Sequence, residues 1–129
     1  MSEARARLNA LPARYPRLFP HGSVPWGFAV GDGWCVLLET LCARLDTILA
    51  AAPGAAMAVV QVKEKFGGLR FYYDLQGADE AISEAMREAV DLAEAASARI
   101  CEQCGRRGAR RDSGGWLSTV CAACQQADP

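Results

Sequence analysis

Long apolar segments and a strong charge of one sign are both missing from this sequence of 129 residues. No run approaches the ~18 consecutive apolar residues that a membrane-spanning helix needs. The formal net charge is -1, so no overall field would draw the protein onto nucleic acid or a membrane surface. Residues 1–7 lack the apolar run and the cleavage pattern of a secretory signal. We therefore expect a cytoplasmic protein without a membrane partner, in which any such binding depends on local patches.

Recognisable catalytic groups are scarce as well. The only histidine, His21, lies between a proline and a glycine in an irregular stretch, where such a side chain is usually just exposed. Glu64 and Asp74 lie near the two arms of a predicted hairpin, but acid–base catalysis needs a pocket that a sequence does not display. The glycine-containing stretch at 63–70 lacks the fingerprint of a phosphate-binding P-loop. We therefore assign no catalytic residue.

Cysteine, by contrast, occurs six times, and four of the six form two CxxC pairs. The pairs are Cys101 with Cys104 and Cys121 with Cys124, and sixteen residues separate them. Two residues between thiolates allow a tight turn to direct both sulfurs at one ion, and this spacing is typical of a four-cysteine zinc site. Because four thiolates leave no position for water, the sequence predicts one structural Zn²⁺ in a zinc-ribbon or zinc-knuckle module. An iron–sulfur cluster and a redox-active thiol pair remain alternatives.

The rest of the pattern predicts an α+β domain over 1–100, on which the zinc-binding module of 101–129 packs. Apolar residues alternate on both sides of a glycine-containing turn, which predicts a β-hairpin in a small antiparallel sheet packed with two helices. Asp32 is expected to cap the first of these helices, and Cys35 and Cys42 are expected in the core. The predicted segments are an irregular N-terminal arm at 1–23, an edge strand at 24–30, a helix at 34–52, hairpin strands at 55–65 and 69–75, and a helix at 79–100.

Outside the predicted zinc-binding module, charged residues and glycine are most concentrated in the segment around the hairpin turn. A turn alone would explain its glycines, because glycine tolerates positive φ. The same glycines could let a phosphate approach the backbone, with the neighbouring cations adding favourable charge. The candidate binding residues in this segment are Lys63, Lys65, Phe66, Gly67, Gly68 and Arg70.

The loop between the two CxxC pairs is rich in arginine. Arginines neutralise phosphates and a nearby tryptophan can stack on an unpaired base, so this loop is a candidate nucleic-acid surface. The alternative is a solvated loop that pairs in part with the acidic face of the helix at 79–100, which carries six acids against one base over residues 79–94. The residues concerned are Arg106, Arg107, Arg110, Arg111 and Trp116.

Several short strings give the sequence a recognisable character. They are Trp26-Gly27-Phe28, Gly31-Asp32-Gly33-Trp34, the string KEKFGGLRFY at 63–72, and Gly115-Trp116-Leu117 before the second CxxC pair. With these strings the sequence resembles a family of small, mostly uncharacterised proteins of phages, prophages and bacterial genomes. The resemblance implies a phage-related or mobile-element setting. It favours inhibitors, immunity proteins or regulators that act through protein contacts.

Three functions are compatible with these observations. The first is a zinc-stabilised protein that binds another protein, which the mixed surface charge and the lack of catalytic groups favour. The second is a nucleic-acid-binding protein that uses the arginine-rich loop. The third is an enzyme, or a binder of a nucleotide or phosphate ligand, with its site at the hairpin.

Overall fold

The computed structural model describes residues 1–127, so the last two residues of the predicted module lie outside the described range. Within this range the chain forms a three-stranded sheet, a two-stranded sheet and five α-helices, which confirms the α+β class. No helix in residues 1–127 combines the length and the apolar character needed to cross a membrane. The helices are α1 (Glu3–Asn9), α2 (Leu11–Arg14), α3 (Cys35–Ala50), α4 (Glu80–Ser97) and α5 (Ala122–Ala127). The strands are β1 (Phe28–Ala29), β2 (Ala56–Lys65), β3 (Gly68–Gln76), β4 (Ala109–Ser113) and β5 (Trp116–Val120).

Strands β2 and β3 form the antiparallel hairpin that the alternating pattern predicts. Lys65 is paired with Gly68, so Phe66 and Gly67 are the two residues of the turn, and their φ values are 56° and 83°. Positive φ at both central residues is typical of a type I′ turn, whose twist matches that of the flanking strands. Glycine adopts this conformation freely, whereas Phe66 is an unusual residue there.

The predicted edge strand at 24–30 is shorter than expected and runs in the other direction. Phe28 is paired with Val62 in a parallel arrangement, so the sheet is mixed rather than antiparallel, with the order β1-β2-β3. Parallel strands need a crossover connection, which α3 supplies here. The strand is short because Trp26 and Gly27 have φ values of 62° and 65°, which take the backbone out of the extended conformation just before Phe28.

The two predicted long helices are both present. Helix α3 packs against α4, and α4 packs against β3. Small buried residues such as Ala89 and Ala93 allow α4 to approach its neighbours closely. Cys35 and Cys42 lie buried in the core as expected. Burial raises the pKa of both thiols, that of Cys42 to about 12, so neither is a reactive thiolate near neutral pH.

The starts of α3 and α4 differ in how they are capped. Asp79 caps α4, because its carboxylate accepts a hydrogen bond from the Ile82 N–H at 2.9 Å. Asp32 does not cap α3 as expected, because a 3-10 turn (Asp32–Trp34) precedes that helix. The Asp32 carboxylate instead accepts hydrogen bonds from the Ser2 hydroxyl and the Arg5 guanidinium, which hold the N-terminal segment against this turn.

Helix α4 also covers the open edge of the three-stranded sheet. Strand β3 is the last strand of the sheet, and outward-pointing N–H groups at such an edge need other partners. The Leu69 N–H donates to the Ser97 hydroxyl at 3.0 Å, and the Phe71 N–H donates to the Glu94 carboxylate at 2.9 Å. Glu94, which the acidic stripe of the sequence places on a solvated face, therefore has a structural role.

The first part of the predicted N-terminal arm is helical rather than irregular, whereas residues 15–23 contain neither helix nor strand, as expected. Helix α1 ends at Asn9 and α2 begins at Leu11, so the prolines fall after the first helix. Pro12 occupies the first turn of α2, where its missing N–H costs no helical hydrogen bond. The arm is fixed on the domain by fully buried side chains, namely Leu8, Leu11, Leu18 and Phe19.

The carboxylate of Glu39 on α3 joins this arm to the domain. It accepts hydrogen bonds from Arg7 and from Arg14, the latter at 3.0 Å. The hydrogen bond from Arg7 lowers the pKa of Glu39, burial opposes this change, and Arg14 lowers the pKa further. A carboxylate with a depressed pKa stabilises the fold above its ordinary value of 4.5, and this stabilisation is lost as the pH falls through the folded-state pKa.

We therefore expect Glu39→Gln to lower the free energy of unfolding by about 1 kcal/mol at neutral pH, because the two arginines are nearly half exposed. The difference between the two proteins should shrink as the pH is lowered toward 4. Urea denaturation of both proteins at each pH measures it, and effects common to both proteins cancel. A difference that stays constant with pH would contradict this role.

Candidate metal centre and its docking on the hairpin

The four cysteines of the CxxC pairs come together near the end of the chain. Their Sγ atoms all lie within 4.8 Å of one another, and those of Cys104 and Cys121 are 3.7 Å apart. Sulfurs bonded at about 2.3 Å to one tetrahedral ion are about 3.8 Å apart, so the spacing fits a shared metal ion. Cys101, Cys104, Cys121 and Cys124 could therefore hold a metal ion.

Tight backbone turns position both pairs of thiols. After Cys101 the chain turns so that the Gly105 N–H donates to the Cys101 carbonyl at 2.9 Å, and Gly105 has a φ of 83°. In the second pair, at the junction of β5 and α5, the Cys124 N–H donates to the Cys121 Sγ at 3.4 Å. The antiparallel pairing of β4 with β5 folds the chain back, so that the two turns meet.

The backbone around the cluster favours thiolates at two positions. Burial acts to raise the pKa of the Cys101 thiol, but nearby backbone N–H groups, chiefly that of Cys104, outweigh it and lower the pKa to about 6. The Cys124 N–H lowers the pKa of Cys121 in the same way. The Cys124 thiol hydrogen-bonds to Cys121, which raises its own pKa to about 12. Neighbouring thiolates repel one another, and a divalent cation removes that repulsion and favours full deprotonation.

The first turn of the cysteine cluster lies directly on the glycine turn before α3. The Gly33 N–H donates to the Glu102 carbonyl at 2.7 Å, and the Gly31 N–H donates to the Glu102 carboxylate at 2.8 Å. A Cβ at Gly33 would lie 2.2 Å from the Cys101 carbonyl oxygen, and a Cβ at Gly31 would lie 2.3 Å from that of Glu102. The two backbones can approach this closely only because both positions are glycine.

A second contact joins β5 to the turn of the β2–β3 hairpin. The fully buried Thr119 hydroxyl donates to the Gly67 carbonyl at 2.6 Å. A Cβ at Gly67 would lie 3.2 Å from the Ser118 backbone. The Gly67 N–H donates to the Glu64 carboxylate at 2.7 Å. The positive φ at position 67 and the close contact with β5 together explain why this residue is glycine, so a bound ligand is not needed to explain it.

Three of the candidate cations meet beside the hairpin turn. Lys65 and Arg70 of the hairpin line one small cavity together with Arg110 of β4. Phe66, Gly67 and Gly68 line the same cavity. Lys63 is the cross-strand partner of Arg70, and its Nζ lies 5.8 Å from the centre of the Tyr72 ring. The structure therefore joins the hairpin candidates to one arginine of the cysteine loop.

Trp116 lies in a different environment from these cations. It lines another cavity together with the side chains of Glu64 and Glu102, and 72% of its surface is exposed. Burial raises the pKa of Glu102, the hydrogen bond from Gly31 opposes this change, and Glu64 adds to it. Trp116 therefore lines a cavity that contains two acidic residues, whereas Arg110 lines the basic cavity beside the hairpin turn.

The remaining arginines of the cysteine loop have different surroundings. Arg106 and Arg107 are exposed, and Arg111 donates to the Val120 carbonyl at 3.2 Å. The alternative in which this loop pairs with the acidic face of α4 finds no support, because none of the ion pairs within residues 1–127 joins the two.

Sequence reasoning missed the polar residues that make the docking contacts. Glu102 lies between two cysteines and has the pattern of an exposed loop residue, yet its carbonyl and carboxylate both accept hydrogen bonds from the glycine turn. Thr119 is buried two residues after Leu117 on β5. The usable signal was the spacing of Gly31 and Gly33, since a turn followed by an N-cap does not by itself need two glycines.

No family model, no curated protein and no solved structure matches this chain. The geometry of residues 1–127 therefore carries the functional interpretation.

We expect Gly33→Ala to destabilise the protein by about 3 kcal/mol or more, because its Cβ would overlap the Cys101 carbonyl and the turn or the cysteine module would have to move. Gly54→Ala is the matched control. The nearest atom to its Cβ would be 3.9 Å away, so it should be neutral or stabilising by about 0.4–1 kcal/mol. Urea denaturation measures both, and equal effects would contradict the docking contact.

Proposed function

We propose that this protein is a zinc-stabilised binding protein that acts through contacts with another protein, as an inhibitor, immunity protein or regulator of phage or mobile-element origin. The observation that carries the proposal is a basic and aromatic surface on the outer side of the hairpin. The cysteine module supports the proposal, because the hydrogen bond from its Thr119 hydroxyl to the Gly67 carbonyl fixes the hairpin turn. The resemblance in sequence supplies the phage-related setting.

Zinc is the metal that suits the four cysteines best. Tetrahedral sites with four sulfur ligands are typical of zinc or of iron–sulfur clusters. Two CxxC turns joined by a β-hairpin are the arrangement of a zinc ribbon or knuckle, in which all four positions are filled by protein. A closed site of this kind leaves no position for a substrate, so the metal stabilises the module. An iron–sulfur cluster is the alternative that metal analysis distinguishes.

The outer side of the hairpin carries cations that internal ion pairs do not explain. Lys63 and Arg70 stand directly opposite each other on β2 and β3, and like charges in this position repel. Neither forms an ion pair within residues 1–127. The Tyr72 ring beside Lys63 is 43% exposed. Tyrosine and arginine are enriched at protein interfaces and often supply much of the binding energy.

The surroundings of this surface favour a protein over a nucleic acid. Helix α4 lies along β3 and carries most of the acids at 79–94, where six acids stand against one base. Trp116, the tryptophan that follows the arginine-rich loop, lines a cavity together with the acidic residues Glu64 and Glu102. A uniformly negative phosphate backbone would be repelled at both places. A protein surface can present both signs of charge and complement the hairpin and α4 together.

The enzyme or nucleotide-binding alternative has less support. Lys63, Lys65 and Arg70 belong to one segment, but the cavity beside the hairpin turn measures about 130 Å³. Small-molecule sites usually enclose about 300–1,000 Å³. The single histidine, His21, lies in an exposed turn and lines neither the cavity beside the hairpin turn nor the one that contains Glu64 and Glu102.

Losing a group that only orients a metal ligand weakens metal binding about 10–100-fold. We expect Cys104→Ser to weaken zinc binding by more than this, because Cys104 is itself a proposed ligand. Native mass spectrometry and metal analysis should give one zinc per chain for the parent protein and little for the variant after dialysis. Cys42→Ala is the control, because Cys42 lies in the core and should leave the zinc content unchanged. Unchanged zinc in the Cys104 variant, or iron with labile sulfide in the parent, would refute the assignment.

We expect the tagged protein to capture a defined protein from cells that encode it, and Lys63→Glu to abolish this capture by reversing the charge on the hairpin surface. Arg44→Glu makes the same charge change at an exposed position of α3 and should capture normally. Quantitative mass spectrometry of the three samples measures the result. Capture of nucleic acid alone, or of a protein that both variants retain equally, would count against the proposal.

A further inference from the structure

The cavity beside the hairpin turn combines charges from two parts of the chain. Lys65 and Arg70 come from the hairpin, whereas Arg110 comes from β4 of the cysteine module, about forty positions later. Glu94 of α4 is the acidic residue that lines the same cavity. Three cations against one carboxylate leave an excess of two positive charges in a space of about 130 Å³.

The cations of this cavity are available for an outside partner. No ion pair within residues 1–127 involves Lys65, Arg70 or Arg110. One oxygen of Glu94 is already occupied, because it accepts the Phe71 N–H at 2.9 Å and so holds the edge of β3. The fold therefore brings three positive side chains together without neutralising them.

The docking contact of the cysteine module is what places Arg110 here. Arg110 is the cross-strand partner of Thr119, so the two side chains lie on the same side of the β4–β5 pair. The Thr119 hydroxyl donates to the Gly67 carbonyl at 2.6 Å. The contact that holds β5 on the hairpin turn therefore also directs Arg110 toward Lys65 and Arg70.

Two neighbours of the cavity bear on its role. Ala98 is the residue that caps the C-terminal end of α4, and this end of a helix attracts cations, which gives these side chains a structural reason to be nearby. That attraction does not explain Phe66, which is 57% exposed with a φ of 56° although a glycine would relieve the strain. Its ring lies 5.4 Å from the Lys65 Nζ and offers an apolar wall to an incoming side chain.

We propose that Lys65, Arg70 and Arg110 form a carboxylate-recognition site that takes one aspartate or glutamate side chain of the partner protein. The inference rests on the proposed function and names the chemistry of its partner. The size of the cavity suits one side chain rather than a whole nucleotide. Arginine binds carboxylates through paired hydrogen bonds, which suits a site formed by two arginines and one lysine.

The test uses fluorescein-labelled octaglutamate as the probe, with octaglutamine and an oligothymidylate of the same length for comparison, in fluorescence anisotropy at low salt. Octaglutamate should bind and octaglutamine should not. Arg70→Gln and Arg110→Gln should each weaken octaglutamate binding about tenfold, because each removes a charge-assisted hydrogen bond. The double variant should lose less than the product of the two effects, since both groups bind the same carboxylate.

Arg44→Gln on α3 is the control for loss of one positive charge and should leave binding unchanged, and thermal melting of every variant checks the fold. Equal weakening by Arg44→Gln would overturn the proposal, because it would show attraction to overall charge alone. Tighter binding of oligothymidylate with the same dependence on Arg70 and Arg110 would also overturn it and assign a nucleic acid. If partner capture still depends on Lys63 while neither arginine affects octaglutamate, this site fails and the proposed function stands.

Discussion

Close contact between two backbone turns is the constraint on which the rest of the structure depends. The turn that begins at Cys101 lies against the glycine turn before α3, so closely that a Cβ at Gly33 would be 2.2 Å from a carbonyl oxygen. The contact is strengthened by the fully buried Trp34, whose indole N–H donates to the Ile100 carbonyl at 2.9 Å. The cysteine module is therefore packed on the body of the protein rather than joined to it by a free linker.

The packing of the cysteine module also determines the position of one cation beside the hairpin turn. When β5 lies against Gly67, the hydrogen bond from Thr119 fixes the hairpin turn and Arg110 is held beside the hairpin cations. Structural zinc commonly supplies folding free energy to a small module that has few apolar residues of its own. In this protein the folding free energy of the cysteine module would also hold Arg110 in the proposed binding site, because Arg110 belongs to that module.

The features predictable from sequence are those with a local signal. The hairpin follows from alternation around a glycine-containing turn, α4 follows from its helical stripe, and the cysteine cluster follows from CxxC spacing. Each of these depends on residues that are neighbours in sequence or one turn apart.

The features that could not be predicted depend on long-range contacts. The Gly31 N–H and the Glu102 carboxylate are 71 positions apart, and no periodicity connects them. The parallel pairing of β1 depends on the crossover through α3, whereas the short alternating stretch at 24–30 is compatible with either direction. The helical arm was missed because its prolines were given too much weight, although they fall after α1 and in the first turn of α2.

Hydrogen–deuterium exchange with mass spectrometry, before and after treatment with a metal chelator, shows whether a bound metal holds the cysteine module on the glycine turn before α3. We predict that residues 101–121 lose protection without metal. The Gly33 N–H, which donates to the Glu102 carbonyl, should lose protection with them, while β2, β3 and α4 remain protected. Unchanged exchange at Gly33 and through the cysteine module after chelator treatment would contradict the claim that a bound metal holds this module on the glycine turn before α3.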